Sequence, residues 1–579
     1  MSMMAPVPTV ARAMRYADFP TMTAALDYAA AGESALHFHN LHGALSRIVS
    51  YRELRSSSIL LAHRLLAAGL EPGDRVALLA DTTPEFVEAF FACLYAGLIA
   101  VPFPVPAPLG GKAAYIEQIR ALLSASAARA IVIPEDYRAW LTERVAVEGV
   151  RPLSLNELPA TGMHRSQDLP VITPEQTGYL QFSSGSTRTP TGVVVSHRAL
   201  MANMAGISRE GLQLRAEDRL VSWLPFYHDM GLVGFLLVPV ATQMTIDLLP
   251  TAAFVRRPLL WLELISRNGG TVSYSPTFGY ELCVRRTDTA MRVPDLSSWR
   301  IAGVGGDMVR AEPLNAFADR FEEAGFRRNA FVPSYGMAEA TLALTFARVG
   351  CALSEDVVDM CAMERDAIAH VLPAESAGLR TCSFVRCGRI LPGHELQVRN
   401  DKGGVLGDRQ VGRIFVRGPS LMKEYFRQPE AMAAVLSHDG WLDTGDLGFL
   451  TDGELTPTGR TKDVILMNGR NIWPQDLEWS VETGVTGIRS GDVAAFSSSD
   501  DQQIVLLVQC RSREPEDRSR ITQETAALIR ARHGIDIQVA LVGPHALPRT
   551  SSGKLSRSKA RGLYESGAFD SEQGSTPHI

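Results

Sequence analysis

Phe182-Ser-Ser-Gly-Ser-Thr-Arg-Thr-Pro-Thr-Gly-Val-Val-Val-Ser-His197 follows the apolar Tyr179-Leu-Gln and decides how the rest of the chain is read. A strand-like run feeds a loop of small and hydroxyl-bearing residues: Ser183, Ser184, Gly185, Ser186 and Thr187. Such a backbone can approach phosphate oxygens closely and offer N–H and O–H donors without bulk. The loop can therefore hold a polyphosphate. The Walker ending GK[ST] is missing, and a Ser/Gly/Thr loop standing alone is also an ordinary turn, so the flanking sequence must decide.

Upstream, the chain alternates helix and strand. An amphipathic pattern over 51–68 ends at Gly69 and precedes the apolar run 76–80. Thr83 can cap a second helix, Pro84 suits its first turn, Phe86, Phe90 and Leu94 repeat at helical spacing, and Gly97 can end it. The pattern recurs over 115–127 before a buried-strand candidate at 130–133. This alternation predicts an α/β fold with a mainly parallel sheet and covering helices. Met201, Met204 and the aromatic residues of 223–235 read as core.

Downstream, 347–384 is a stretch of low regularity, longer than the usual connection inside a compact domain. From about 387 short β-like runs at 395–398, 412–416 and 445–450 predict a small β-rich subdomain. Beyond 460, strand candidates at 493–496, 504–509 and 537–542 and a helix near 521–532 predict a compact α/β unit. The expected division is a large unit over 1–460, with the β-rich part at about 387–460, and a small unit over 461–579. The polar tail from about 566 reads as disordered.

Composition bounds the function. The 579 residues carry 57 Lys and Arg against 63 Asp and Glu, a net charge of −6, which argues against a dedicated nucleic-acid binder. The opening segment lacks a secretory pattern, and the most apolar stretch, 231–241, is interrupted by Pro239 and too short to span a bilayer. The cytosol is the expected compartment. Seven cysteines fit a reducing environment, and Cys351, Cys361, Cys382 and Cys387 lack the spacing of a metal site.

Six motifs in order identify a resemblance. They are the loop quoted above; Trp223-Leu-Pro-Phe-Tyr-His-Asp-Met-Gly231; Ser334-Tyr-Gly-Met-Ala-Glu339; Trp441-Leu-Asp-Thr-Gly-Asp-Leu-Gly448; Gly459-Arg-Thr-Lys-Asp463; and Pro548-Arg-Thr-Ser-Ser-Gly-Lys554. The chain resembles, over nearly its whole length, the adenylate-forming superfamily of acyl-CoA synthetases, peptide-synthetase adenylation domains and luciferases. The resemblance implies ATP as substrate, with Ser183–Thr187 on its phosphates. Tyr335, in Ser334-Tyr335-Gly336-Met337, would lie against adenine, with Asp307 of Gly305-Gly306-Asp307 at the purine edge. Glu339 would hold Mg²⁺ through hard oxygen ligands. Asp446 would accept hydrogen bonds from the ribose, with Arg460 nearby. His228 would line the channel where carboxylate meets ATP, Lys462 would mark the hinge that makes the small unit mobile, and Lys554 would stabilise negative charge at the α-phosphate.

Departures from the common pattern resemble one branch, the fatty acyl-AMP ligases. Thr191 replaces the usual lysine of Gly-x-Pro-Lys-Gly, and Tyr335-Gly-Met-Ala-Glu-Ala-Thr341 and Asn468-Gly-Arg-Asn-Ile-Trp-Pro-Gln-Asp-Leu-Glu478 fit that branch. The resemblance implies a family-specific insertion at about 350–382 that hinders thioesterification of CoA. It implies a medium- or long-chain fatty acid as substrate and an acyl carrier protein or polyketide synthase carrier domain as partner. Tyr274-Ser-Pro-Thr-Phe-Gly-Tyr280 is similar to the wall of the acyl pocket, with Gly231, Phe278 and Gly279 as candidates. A fatty acyl-CoA synthetase and an inactive acyl-adenylate-binding protein are the alternative readings.

Overall fold

The computed structural model describes residues 13–106, 111–145, 147–159, 168–183, 190–287, 294–373, 380–467, 469–498, 503–550 and 553–569. The alternation upstream of the phosphate-type loop forms a six-stranded sheet ordered Arg151–Leu153, Ala130–Val132, Arg75–Leu79, Ile99–Phe103, Thr177–Ser183, Thr191–Ser196. Neighbours pair in parallel except the last two, which form the antiparallel ribbon flanking the loop. The Thr83 hydroxyl accepts the Phe86 N–H, the helix Pro84–Tyr95 follows, and Gly97 at φ +68 turns the chain into Ile99–Phe103. Phe86, Phe90 and Leu94 are buried.

The largest sheet among the described residues has nine strands. Its central members Leu220–Ser222, Val272–Ser275, Ile301–Val304 and Phe331–Gly336 run parallel to one another. Parallel strands in such a sheet are buried on both faces, which explains their unbroken apolar or small character. Trp261, Trp299, Tyr280 and Phe317 pack edge to face behind them.

A carboxylate is buried in this sheet as well. Asp247 meets Arg219 Nε at 2.6 Å, His39 Nε2 at 2.9 Å and the Asn268 amide at 2.8 Å. Burial alone would raise its pKa, but hydrogen bonds from His37, His39 and Arg219 outweigh that and hold it far below the ordinary value of 3.8. The stabilisation is therefore complete above about pH 4 and lost as pH falls toward the folded-state value. Asp247→Ala is expected to cost about 3 kcal/mol at neutral pH, because it leaves the arginine unpaired. Urea titrations at pH 7 and pH 3 should show that gap narrowing with acid; a constant gap would contradict the assignment.

An antiparallel four-stranded sheet, Glu395–Arg399, Gly412–Arg417, Leu442–Thr451 and Glu454–Arg460, occupies the region read as β-rich. Beyond it, Val493–Ser497, Ile504–Gln509 and Ile537–Val542 form a three-stranded sheet covered by the helices Pro474–Gly484, Pro515–His533 and Arg557–Glu565. This part has apolar clusters of its own on both faces of the sheet.

Two expectations change. The stretch read as irregular contains a strand Glu355–Asp359, a helix Met360–Asp366 and a strand Thr381–Val385, the strands pairing antiparallel. Its regularity is carried by a partner strand more than twenty residues away, so local periodicity does not reveal it. Of the tail read from about 566, residues 566–569 form a turn with Phe569 buried in a cluster with Phe496 and Leu507, and residues 570–579 lie outside the described residues.

The 355–385 segment lies against the chain's final part. Glu364, buried on the helix Met360–Asp366, pairs with Arg380 and accepts from Arg470 Nη2 at 2.6 Å. Arg380 also lies 3.2 Å from His533 Nδ1 and 3.8 Å from Asp476. Burial pushes the Asp476 carboxyl up to about 7, against the pull of Arg380, and burial holds His533 down to about 3. A second contact crosses nearer the nucleotide motifs: Arg310 Nη1 donates to Ser490 Oγ at 2.9 Å, pairs with Glu482 at 3.4 Å and covers the Trp479 ring.

No described helix is long and apolar enough to cross a membrane.

Candidate active site

The carboxyl ends of four parallel neighbours bring the candidate residues to one edge of the nine-stranded sheet. Trp223–Gly231 follows Leu220–Ser222, Pro276–Gly279 follows Val272–Ser275, Gly305–Asp307 follows Ile301–Val304, and Ser334–Gly336 ends its own strand. Open α/β sheets bind ligands outside this edge because the loops there are free to diverge.

Glycines set the local geometry where backbone must approach backbone. A Cβ on Gly336 would stand 1.9 Å from Leu342 O, at the point where the register of Phe331–Gly336 against Ala343–Phe346 shifts. A Cβ on Gly305 would stand 2.8 Å from Ser334 Oγ, so these two candidate segments touch. Gly306 turns the chain with φ +79, and Asp307 Oδ1 accepts the Met308 N–H. Met337 leads into a single turn, Ala338–Ala340, that carries Glu339.

Tyr335 Oη donates to Asp446 Oδ2 at 2.8 Å, and Arg460 Nε stands 3.4 Å from Asp446 Oδ1. The second contact follows from register, since Asp446 and Arg460 are cross-strand partners in the ribbon Leu442–Thr451/Glu454–Arg460. Burial raises the Asp446 pKa, while Arg460, the Tyr335 hydroxyl, Lys554 and Lys462 favour its charged form. Asp307 acts on Arg460 in turn. Burial lowers the Lys462 pKa, and the charge on Arg460 adds to this.

Lys554 comes from the opposite side. Thr550 N–H donates to Lys554 O at 2.8 Å and the Lys554 N–H donates to Thr550 Oγ1 at 3.2 Å, closing a tight loop ahead of the helix Arg557–Glu565. The ammonium acts electrostatically on both Asp446 and Asp229. Burial would raise the Asp229 pKa, but the charge of His228, its hydrogen bond and Lys554 hold it below the ordinary value. His228 caps the short helix Asp229–Leu232: Nδ1 lies 3.2 Å from the Met230 N–H and 2.6 Å from Asp229 Oδ1.

Glu339 is enclosed. Burial raises its pKa, opposed by its own backbone N–H and the Tyr425 hydroxyl, which donates to Oε1 at 2.9 Å. The described residues contain no cluster of three metal-ligating side chains. A single hard carboxylate such as Glu339 fits Mg²⁺ on a nucleotide, since that ion usually takes one or two carboxylates and completes its shell with phosphate oxygens and water.

The acyl-pocket candidates converge on Trp223, whose ring stacks on Phe254 at 3.7 Å. Phe278 meets Trp223 edge-on at 5.9 Å, and a Cβ on Gly279 would reach within 3.0 Å of it. Gly231 serves backbone packing: its Cβ would fall 2.2 Å from Pro225 O. Ser184, Gly185, Ser186 and Thr187, together with the Ser183 side chain, lie outside the described residues. Sequence reading missed Tyr425 and Arg310, while Trp223, read as core, is buried in it. Tyr425 stands in Ser420-Leu-Met-Lys-Glu-Tyr-Phe-Arg-Gln428, which has no strand alternation, and an aromatic residue in such a polar linker was the one available signal.

The comparisons agree with this geometry. A Caulobacter vibrioides (strain NA1000 / CB15N) protein provisionally named an acyl-CoA synthetase is 54% identical over 562 residues, 96% of this chain and 97% of that protein. The medium-chain-fatty-acid–[acyl-carrier-protein] ligase JamA of Moorena producens (strain JHB) is 33% identical over 541 residues, 90% of each chain. A solved structure from structural and functional studies of fatty acyl-adenylate ligases from E. coli and L. pneumophila matches with a TM-score of 0.90 at 43% identity, covering 97% of this chain and 100% of that one. The model of the AMP-binding enzyme family matches residues 28–426. With most of its length under that match and its nucleotide-type motifs gathered at one sheet edge, the chain belongs to the AMP-binding enzyme family.

Proposed function

We propose that the protein couples a medium- or long-chain fatty acid to ATP, forming acyl-adenylate and pyrophosphate, and then passes the acyl group to the phosphopantetheine thiol of an acyl carrier protein or polyketide synthase carrier domain. The observation that carries the reading is the joining of Tyr335, at the end of its parallel strand, to Asp446 by a 2.8 Å hydrogen bond and of Asp446 to Arg460 by a 3.4 Å ion pair. In the first step a carboxylate oxygen bonds to the α-phosphorus, the bond to the bridging oxygen breaks, and pyrophosphate leaves with the electron pair. Asp446 and Tyr335 orient the nucleoside, and the Lys554 ammonium faces the charge that gathers between carboxylate and α-phosphate. Glu339 would hold Mg²⁺, which when bound neutralises triphosphate charge. In the second step the thiol sulfur bonds to the acyl carbon and AMP leaves.

Fatty acid, rather than a small acid, is the reading supported by the likeness to the medium-chain-fatty-acid ligase JamA and to the solved fatty acyl-adenylate ligase; burying an alkyl tail is favourable by about 0.8 kcal/mol per CH₂. The contacts of Glu364 and Arg380 with the final unit support restraint of the small-domain rotation that CoA transfer needs, with Lys462 as the hinge. The cytosol is the proposed compartment, where exposed thiols such as Cys351 and Cys361 persist.

Two assays test the reading. Fatty-acid-dependent exchange of labelled pyrophosphate into ATP is expected, and its absence would favour an inactive acyl-adenylate binder. With CoA and carrier protein offered in parallel, the acyl group should go to the carrier; rapid CoA thioester formation would identify a fatty acyl-CoA synthetase.

A further inference from the structure

One short segment ties the Glu339 turn to the strand that leaves the phosphate-type loop. On the Glu339 side, Met422 N–H donates to Glu339 O at 2.7 Å and Tyr425 Oη donates to Glu339 Oε1 at 2.9 Å. Thr341 Oγ1 donates to Ser420 O at 2.8 Å. That residue is buried at φ +71, a conformation a β-branched side chain adopts only when its surroundings impose it. Ser420 is itself fixed, with its hydroxyl 2.6 Å from His394 Nε2 and 3.2 Å from the Asn203 amide.

On the loop side, the same segment pairs with Thr191–Ser196 through one antiparallel bridge, Tyr425 opposite Val193. Lys423 N–H donates to Val194 O at 3.1 Å, Val194 N–H to Glu424 O at 3.0 Å, and Phe426 N–H to Gly192 O at 2.8 Å. The Gln428 amide then donates to Pro190 O at 3.1 Å, at the first described residue after the loop. Residues 420–428 thus bridge the Glu339 turn and the loop's exit directly, beside the tie that Asn203 makes to the Ala343 backbone.

We propose that Tyr425 is a positioning residue that aims the Glu339 carboxylate at the metal–phosphate position, with Gln428 holding the loop's exit in register against it. The inference rests on the reading of Glu339 as the metal-bearing carboxylate. Of the two Glu339 oxygens, one accepts the tyrosine hydroxyl, which leaves the other for a hard cation. A phenol at the base of a carboxylate fixes the direction of the free lone pairs without adding charge, the function of an outer hydrogen bond at a metal ligand.

The test is calorimetric binding of ATP to the full chain with Mg²⁺ and with EDTA, without fatty acid. Tyr425→Phe removes only the hydroxyl. It should weaken Mg·ATP binding by about tenfold, the equivalent of one charge-assisted hydrogen bond, and leave metal-free ATP binding unchanged. Gln428→Ala should weaken both, because its target is the loop. Glu339→Gln is the control: it should abolish the metal-dependent gain. If Glu339→Gln removes that gain and Tyr425→Phe keeps it, the positioning role is wrong while the metal reading stands. If Glu339→Gln retains the gain, both are overturned. An equal loss by Tyr425→Phe with and without metal would mark a merely structural contact, and overturn the proposal.

Discussion

Lys554→Ala is expected to slow acyl-adenylate formation on the order of a hundredfold, the scale of losing one preorganised charge at a developing anion. ATP affinity should stay within about twofold, since a contact made mainly in the transition state contributes little to ground-state binding. The structure gives the reason for the separation. The residues proposed to hold the nucleoside, Tyr335, Asp446 and Arg460, hold one another through the 2.8 Å hydroxyl–carboxylate bond and the cross-strand pair. Lys554 hydrogen-bonds through its backbone to its own loop and reaches the site only as a charge. Single-turnover formation of acyl-AMP, alongside nucleotide titration, checks both halves. Normal adenylation by the variant would remove Lys554 from the mechanism.

Arg380→Ala should shift the product ratio toward acyl-CoA by about tenfold or more when CoA is present. Arg380 stands between Glu364, Asp476 and His533, and removing one member of a buried ion-paired group costs roughly 3–5 kcal/mol because the remaining charges lose their partner. That cost falls on the seated arrangement of the final unit and is relieved when the unit turns away, so the population able to accept CoA rises. Shortening the 350–382 segment should act in the same direction. A folded variant with unchanged partitioning would show that this contact does not restrain the rotation.

The sequence was most legible where structure is decided locally. Thr83 and Pro84 announced their helix through capping chemistry, and 504–509 read as a strand because an apolar run between polar turns has few other uses. The 355–385 segment was not legible in this way. Its strands are five residues long, contain acids and hydroxyls, and owe their order to each other and to Arg470, Asp476 and His533. Among the candidate site residues, motif order pointed to Tyr335, Asp446 and Arg460, which the structure joins by a 2.8 Å hydrogen bond and a 3.4 Å ion pair. Tyr425 and Arg310 escaped because their meaning lies in partners 86 and 172 residues away. A side chain whose role is to aim another has no spacing signature of its own.

The placement of Lys554 on the last packed unit also bears on synthesis of the chain. Until translation passes residue 554, the emerging polypeptide holds the strands that carry Tyr335 and Asp446 and the turn that carries Glu339 but not Lys554. On the role proposed for that lysine, a growing chain short of residue 554 is expected to form acyl-adenylate no faster than Lys554→Ala.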